Sequence, residues 1–266
     1  MLEKLLITGA SGGLGRICRE SLKPLAKTIR LTARSGLGDA GENEEIVYGS
    51  LDDPEALAEI VEGCDGLVHL GGQATEAKWE TIRSANIDGM VNLYEAVRLS
   101  TTKPRIVFAS SNHTIGFYPQ SQRLDTRSPV RPDGYYGVSK VFGEALASMY
   151  YDKFGIETAS VRIGSFAAAP ENYRMLSTWL SHRDFVQLVA RIFAVPVLGY
   201  QVIYGASANS AGWWDNSAVS FLGWQPQDNA ETYRAKVEQL VPRPSAEEPI
   251  AKYQGGIFCA DPILKD

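Results

Sequence analysis

The sequence predicts an α/β fold, a doubly wound parallel sheet with a small C-terminal lobe. Three observations predict it. The chain opens with a short apolar run, Lys4–Thr8, that ends in a glycine-rich turn. Further apolar runs alternate with helix-patterned stretches through residue 163. The runs place apolar residues at consecutive positions, as in Leu5-Leu6-Ile7, which suits parallel strands covered on both faces. At 266 residues the chain can hold this as one domain: a core in 1–163, and a less regular 164–266 forming mostly the lobe and a tail.

The elements follow in order. Lys4–Thr8 reads as the first strand. Glycines stand at 9, 12 and 15 of the next turn, and Leu14, Ile17, Cys18 and Leu22 then recur at helical spacing up to Pro24. Such a turn from strand to helix N-terminus suits a pyrophosphate: backbone N–H groups and the helix dipole attract anions, and glycine permits close approach. Gly9, Ser11, Gly12, Gly13, Leu14 and Gly15 therefore form a candidate Rossmann-like dinucleotide cradle. Thr28–Ala33 is the second strand. A carboxylate at its end would hold the ribose hydroxyls of NAD, but the chain has Ala33-Arg34 there. A planar guanidinium suits a 2′-phosphate, so NADP is expected ahead of NAD.

Glu45–Tyr48 is the third strand, with Ser50 and Leu51 following where an adenine edge would lie. Pro54–Val61 is a helix with proline in its first turn. Gly66–Leu70 is the fourth strand, and Leu70-Gly71-Gly72 offers a second backbone approach to the cofactor. His69, inside this apolar run, reads as a satisfied core histidine. Trp79–Leu99 is an amphipathic helix whose stripe of Trp79, Ile82, Met90, Leu93 and Val97 is interrupted by Asn86. Asn86 is expected to be a buried hydrogen-bonding group at the cofactor end of the site. Arg105–Ala109 is the fifth strand and runs into Ser110-Ser111-Asn112-His113-Thr114, a polar cluster at the strand edge where open α/β sheets bind ligands. Tyr135–Phe154 is a helix and Glu157–Ile163 the sixth strand. Beyond it, Phe166–Thr178 reads as a loop, Arg183–Phe193 as a helix and Gln201–Tyr204 as a short strand. Trp213 and Trp214 read as packing aromatics, Asp228–Leu240 as a surface helix and Pro242–Asp266 as a docking tail.

Tyr136 and Lys140 stand four apart, one turn along one helix face. A phenol is a poor base at neutral pH, with a reference pKa of about 10, and a nearby ammonium favours its ionised form. The pair can therefore take a proton from a sugar or alcohol hydroxyl.

Bulk composition excludes several classes. With 26 Lys and Arg against 31 Asp and Glu, the net charge of −5 leaves no basic footprint for nucleic acid or an anionic membrane surface. No run approaches the length of a membrane span, and the N-terminus does not read as a signal peptide. Cys18, Cys64 and Cys259 are far apart, and His69, His113 and His182 show no ligand spacing, so no disulfide framework and no metal are expected. A reducing cytoplasm is the expected compartment.

Gly9, Gly12, Gly15, Ser111, Tyr136 and Lys140 together resemble the short-chain dehydrogenase/reductase family, in its extended, sugar-modifying form. More narrowly, the chain resembles bacterial uronate dehydrogenases. The likeness runs through 108–116, 136–140, Arg162-Ile163-Gly164-Ser165, 173–179, 205–209, Trp213-Trp214-Asp215-Asn216 and Tyr253-Gln254-Gly255-Gly256. It implies oxidation at C1 of cyclic glucuronate or galacturonate to the aldaro-lactone. Tyr136 would be the base, Lys140 would lower its pKa and hold the nicotinamide ribose, and Ser111 would bond the reacting oxygen. The same resemblance places Ile163 at the cofactor. It places Gln73, Ala74, Thr75, Asn112, His113 and Ser165 at the substrate, with Arg174 on the C6 carboxylate. A homo-oligomer is implied by the same analogy. Three departures stand out. Ala33 replaces an Asp of the family, and Ser50-Leu51 replaces Asp-Leu. Gln73-Ala74-Thr75-Glu76, followed by Ala77-Lys78, replaces a serine-containing loop. Another anionic aldose, such as the sulfonate sulfoquinovose, is therefore an alternative substrate for the same C1 chemistry. A nucleotide-sugar epimerase or dehydratase, or a non-catalytic dinucleotide sensor, fits less well.

Overall fold

Seven parallel strands form one sheet: β1 (Leu2–Thr8), β2 (Ala26–Thr32), β3 (Glu44–Ile46), β4 (Gly66–His69), β5 (Arg105–Ser111), β6 (Thr158–Ile163) and β7 (Tyr200–Gly205). The structure is a computed structural model and describes residues 1–264. The strand order is β7-β6-β5-β4-β1-β2-β3, with every pairing parallel. The order reverses between β1 and β4, and the carboxyl ends of the strands flanking that point line the crevice where open α/β sheets bind ligands.

Alternation along the strands builds two cores. Leu5 and Ile7 of β1 face α1 (Gly13–Ser21) and a later helix (His182–Ala194), packing with Cys18, Leu22, Phe185, Leu188 and Ile192. Leu6 faces the other way. It joins Leu67, Ile106 and Phe108 under α2 (Pro54–Val61), α3 (79–99) and α4 (Tyr135–Phe154), which contribute Leu57, Ile60, Leu93, Val97 and Tyr150. Fully burying each such side chain contributes about 1.5–3 kcal/mol.

Helix α3 departs from a regular helix. Trp79–Ile82 and Gly89–Leu99 are α-helical, but Arg83–Asp88 between them is a π-helical segment. The wider turn accommodates Asn86, the residue that breaks the apolar stripe, and turns it inward to 8% exposure. Such insertions concentrate at functional sites.

Other differences have local causes. Phe166–Thr178 is not wholly a loop: Ser165–Phe166 pairs with Trp179–Leu180, and Met175–Thr178 forms one helical turn. Asp228–Leu240 is not one helix. Asn229 accepts from the Glu231 amide and starts a 3-10 turn, Ala230–Tyr233, before the helix Arg234–Leu240. The tail docks as expected. Gln254 is fully buried, and its side chain donates to the carbonyls of Pro119 and Gln122 while accepting from Trp214 Nε1. The last two residues of the expected tail, 265–266, lie outside the described residues. No helix among the described residues is long and apolar enough to cross a membrane.

Candidate active site

The glycine turn is shaped by close approaches. Gly9 has φ +66°, and a Cβ there would lie 2.7 Å from the Gly71 amide nitrogen, so the ends of β1 and β4 meet backbone to backbone. A Cβ on Gly15 would lie 2.6 Å from Ala10 Cα. These contacts set α1 tightly behind the turn, where the first N–H groups of the helix have no intrahelical acceptor. Thr8 Oγ1 fastens the opposite wall, accepting from the amides of Leu70 and Gly71 at 3.2 Å each. His69 is the core histidine expected: Nδ1 pairs with Thr8 Oγ1 at 2.7 Å, and burial pushes its pKa down to about 3, so it stays neutral.

A cavity of about 720 Å³ opens above this turn. It is lined by residues 9 and 11–15, by Ala33, Arg34, Ser50 and Leu51, and by residues 70–74. Ser111, His113, Tyr136, Lys140 and Ile163 line its far end. Arg34 is exposed, and Asp52, which follows Ser50 and Leu51 at the expected adenine edge, lines the cavity as well.

Ser111 is the last residue of β5, two residues further into the strand than expected, and Tyr136 lies in the first turn of α4. Glu76 helps to hold that helix start. Its carboxylate accepts from the backbone amides of Tyr135 at 3.1 Å and Tyr136 at 2.9 Å, an anion at a helix N-terminus. Lys140 donates to the Ala109 carbonyl at 2.9 Å and lies 5.6 Å from the Tyr136 ring centre. One turn on, Glu144 receives the Ser110 hydroxyl at 2.6 Å and a two-nitrogen grip from Arg162 at 2.7–2.9 Å.

The electrostatics differ from the local reading of Tyr136 and Lys140. Burial pushes Tyr136 up to about 12, with the Asp133 charge adding to the rise and the Ser111 hydroxyl opposing it. Burial pushes Lys140 down to about 8, against a pull upward from Glu144. The protein alone therefore does not lower the phenol. Both groups are desolvated, and the ammonium is bonded to a carbonyl rather than to the phenol oxygen.

Five expected site residues do not line the cavity. Asn86 is consumed by protein contacts: Oδ1 accepts from the Gln73 amide at 2.7 Å, and Nδ2 donates to the Gln73 carbonyl at 3.0 Å and Ser139 Oγ at 2.9 Å. It is the buried hydrogen-bonding group expected, and it shapes the 71–78 loop from behind the cavity wall. Thr75 is exposed on that loop and accepts from Gln73 Nε2. Asn112, Ser165 and Arg174 form a cluster of their own beside the Ser111 end. Asn112 donates to the Ile163 carbonyl at 3.0 Å and accepts from Arg174 Nη2 at 2.6 Å. Arg174 also donates to the Gln254 carbonyl at 2.7 Å and Ser165 Oγ at 3.3 Å. All these acceptors are neutral. Among the described residues no carboxylate bonds Arg174 directly, and desolvation pushes its pKa down to about 10 against an upward pull from the more distant Asp133 charge. Lys78 is exposed at the start of α3 and outside the cavity.

The sequence reading missed the groups that arrive from distant segments. Asp133 bonds His113, Gln254 anchors Arg174, and Phe258 stacks on His113 with ring centres 3.9 Å apart. Gln254 did stand within a motif noted in the sequence, which was the one available signal.

Comparison with known proteins bears on what this arrangement is. Residues 5–184 match the NAD dependent epimerase/dehydratase family. Over 264 residues, 99% of both chains, the sequence is 56% identical to a uronate dehydrogenase of Agrobacterium fabrum. The chain belongs to the uronate dehydrogenase branch of that family. A uronate dehydrogenase of Pseudomonas putida is 50% identical over 96% of this chain and 95% of its own. The crystal structure of a mutant Agrobacterium tumefaciens uronate dehydrogenase complexed with NAD superposes with a TM-score of 0.97, covering 99% of each chain at 56% identity. The residues present fit the dinucleotide of this family: the cradle has room only for glycine at positions 9 and 15, and free helix amides face the place of an anion.

Proposed function

We propose that the protein oxidises C1 of a cyclic hexuronate, glucuronate or galacturonate, to the aldaro-lactone, with Tyr136 as the base. The observation that carries this reading is the buried guanidinium of Arg174, which bonds only neutral acceptors and feels Asp133 only at a distance, set beside the Ser111, Tyr136 and Lys140 end of a dinucleotide cavity. A buried cation without a carboxylate partner is costly and is relieved by an anionic ligand. The bound oxidised nicotinamide supplies the hydride acceptor and brings a positive charge to the site. Tyr136 Oη takes the proton of the C1 hydroxyl while the C1 hydrogen leaves as hydride and the C1–O bond becomes a carbonyl. Ser111 donates to that oxygen. With Lys140 already in place the phenol stands near 12, held up chiefly by burial, so the positive charge a bound oxidised nicotinamide would add is what would bring it toward a working range. Lys140 also holds the nicotinamide ribose. Arg174 takes the C6 carboxylate, a bidentate match, and Asn112, His113, Ser165 and the 73–75 loop complete the substrate's hydrogen bonds.

The absence of an acidic side chain at Ala33 and the exposed Arg34 on the cavity wall support use of NADP ahead of NAD. Exposed Leu99, Val138 and Phe154 on α3 and α4 support a homo-oligomer.

A panel of glucuronate, galacturonate, sulfoquinovose, glucose and galactose, each with NAD and with NADP, tests the reading by reduced-nicotinamide absorbance. Turnover of the uronates with both cofactors, NADP the better, is expected. Turnover confined to neutral sugars would remove Arg174 from recognition, and none at all would overturn the activity. Sulfoquinovose as the preferred substrate would replace the carboxylate by a sulfonate, and better use of NAD would remove the role of Arg34.

A further inference from the structure

We infer that Asp133 is a positioning residue that fixes the tautomer of His113, so that His113 presents a bare ring nitrogen as acceptor for a substrate hydroxyl. The inference rests on the activity proposed above and adds a residue to it.

His113 follows β5 in the 3-10 turn Asn112–Ile115, and its Nδ1 lies 2.7 Å from Asp133 Oδ2. One face of the ring stacks on Phe258, and its edge meets the Tyr136 ring at 5.7 Å. The imidazole is therefore clamped at one nitrogen and packed against two rings. His113 lines the cavity, and its Nε2 has no hydrogen-bond partner among the described residues. An ionised carboxylate can only accept, so it requires a proton on Nδ1. In the neutral ring Nε2 then carries a lone pair toward the cavity and accepts from an O–H. A substrate carbonyl or carboxylate oxygen at that place would meet an acceptor and be rejected.

The setting is built for this pair. The Asp133 side chain is almost fully buried. A Cβ on either Gly116 or Gly255 would overlap Asp133 Oδ2, so two segments far apart in sequence keep glycine where the carboxylate passes. Asp133 Oδ1 is buried with no partner. A purely structural carboxylate would be expected to satisfy both oxygens; this one spends its single strong bond on His113.

The chain has three histidines, which makes the ring nitrogens readable by long-range proton–nitrogen NMR on histidine-labelled protein without cofactor. His113→Gln identifies the signal. The expected wild-type result at alkaline pH is a protonated Nδ1 and a bare Nε2. A protonated Nε2 overturns the inference, whatever the enzyme turns over. Asp133→Asn is expected to raise the Nε2–H population and to lower kcat/KM for the sugar by roughly tenfold to a hundredfold, with KM for the cofactor unchanged. Lost activity with an unchanged tautomer, or a changed tautomer with unchanged activity, also overturns it. If the variant does not fold, the wild-type spectrum decides alone. If no sugar is turned over, the proposed activity fails while the tautomer still stands or falls on the spectrum.

Discussion

Replacing Lys140 by methionine should stabilise the cofactor-free protein while abolishing its chemistry. The ammonium is 7% exposed and has one hydrogen bond, to the Ala109 carbonyl. Its pKa is pushed from 10.5 down to about 8 by burial. At about 1.4 kcal/mol per pH unit, that gap is a penalty of roughly 3 kcal/mol on the folded state at pH 7. Losing the hydrogen bond offsets about 1 kcal/mol, which leaves a net gain of about 2 kcal/mol. For a chain of this size that raises Tm by about 4–6 °C. The sign follows from proton binding. Between about pH 8 and 10.5 the unfolded chain holds the Lys140 proton and the folded chain does not, so wild-type stability climbs with pH across that window. Lys140→Met lacks the group, and its advantage should be full at pH 7, less than half near the middle of the window and absent above it. Calorimetry of both proteins at several pH values measures this. A variant that melts at or below wild type at pH 7, or an advantage that does not change with pH, would refute the desolvation argument.

Two further outcomes follow from the geometry. Arg174→Met should lower kcat/KM for a uronate by about 10- to 150-fold, the value of a charge-assisted hydrogen bond of about 1.5–3 kcal/mol. Neutral aldoses should be unaffected, and an equal loss on both substrates would mean that Arg174 serves folding instead. Gly15→Ala should raise the KM for both cofactors and cost about 1–3 kcal/mol of stability, because the added carbon meets the Ala10 backbone at 2.6 Å; unchanged cofactor affinity in a titration would show that the cradle is not where the dinucleotide lies.

The first half of the fold was legible because its signals are local. Three consecutive apolar residues before Gly9 require a strand buried on both faces, and the glycine turn requires a helix close behind. Ser111, Tyr136 and Lys140 were found by type and spacing, and the structure gathers them on one cavity. What stayed hidden depends on partners far along the chain. Nothing near Asp133 in sequence announces His113 or Gly255. The Gln254 carbonyl that holds Arg174 is a backbone group with no side-chain signature. The π-helical segment of α3 preserves the helix pattern on either side, so the burial of Asn86 is legible but its partner, the Gln73 backbone, is not. Tyr136 was read through its neighbour four residues on. Desolvation, which is set by the whole fold, outweighs that neighbour in the protein alone.

Glu76 ties the cavity loop to the helix that carries the base. Residues 71–74 line the cavity, and Glu76 of the same loop supplies the acceptor for the amides that start the helix carrying Tyr136. Swinging the loop outward strips those amides of their partner and exposes the positive end of the helix. Gly134 fits this latch: a side chain there would collide with the Glu76 carboxylate. The doorway and the base are thus one mechanical unit. When the rim is seated, the tyrosine is anchored.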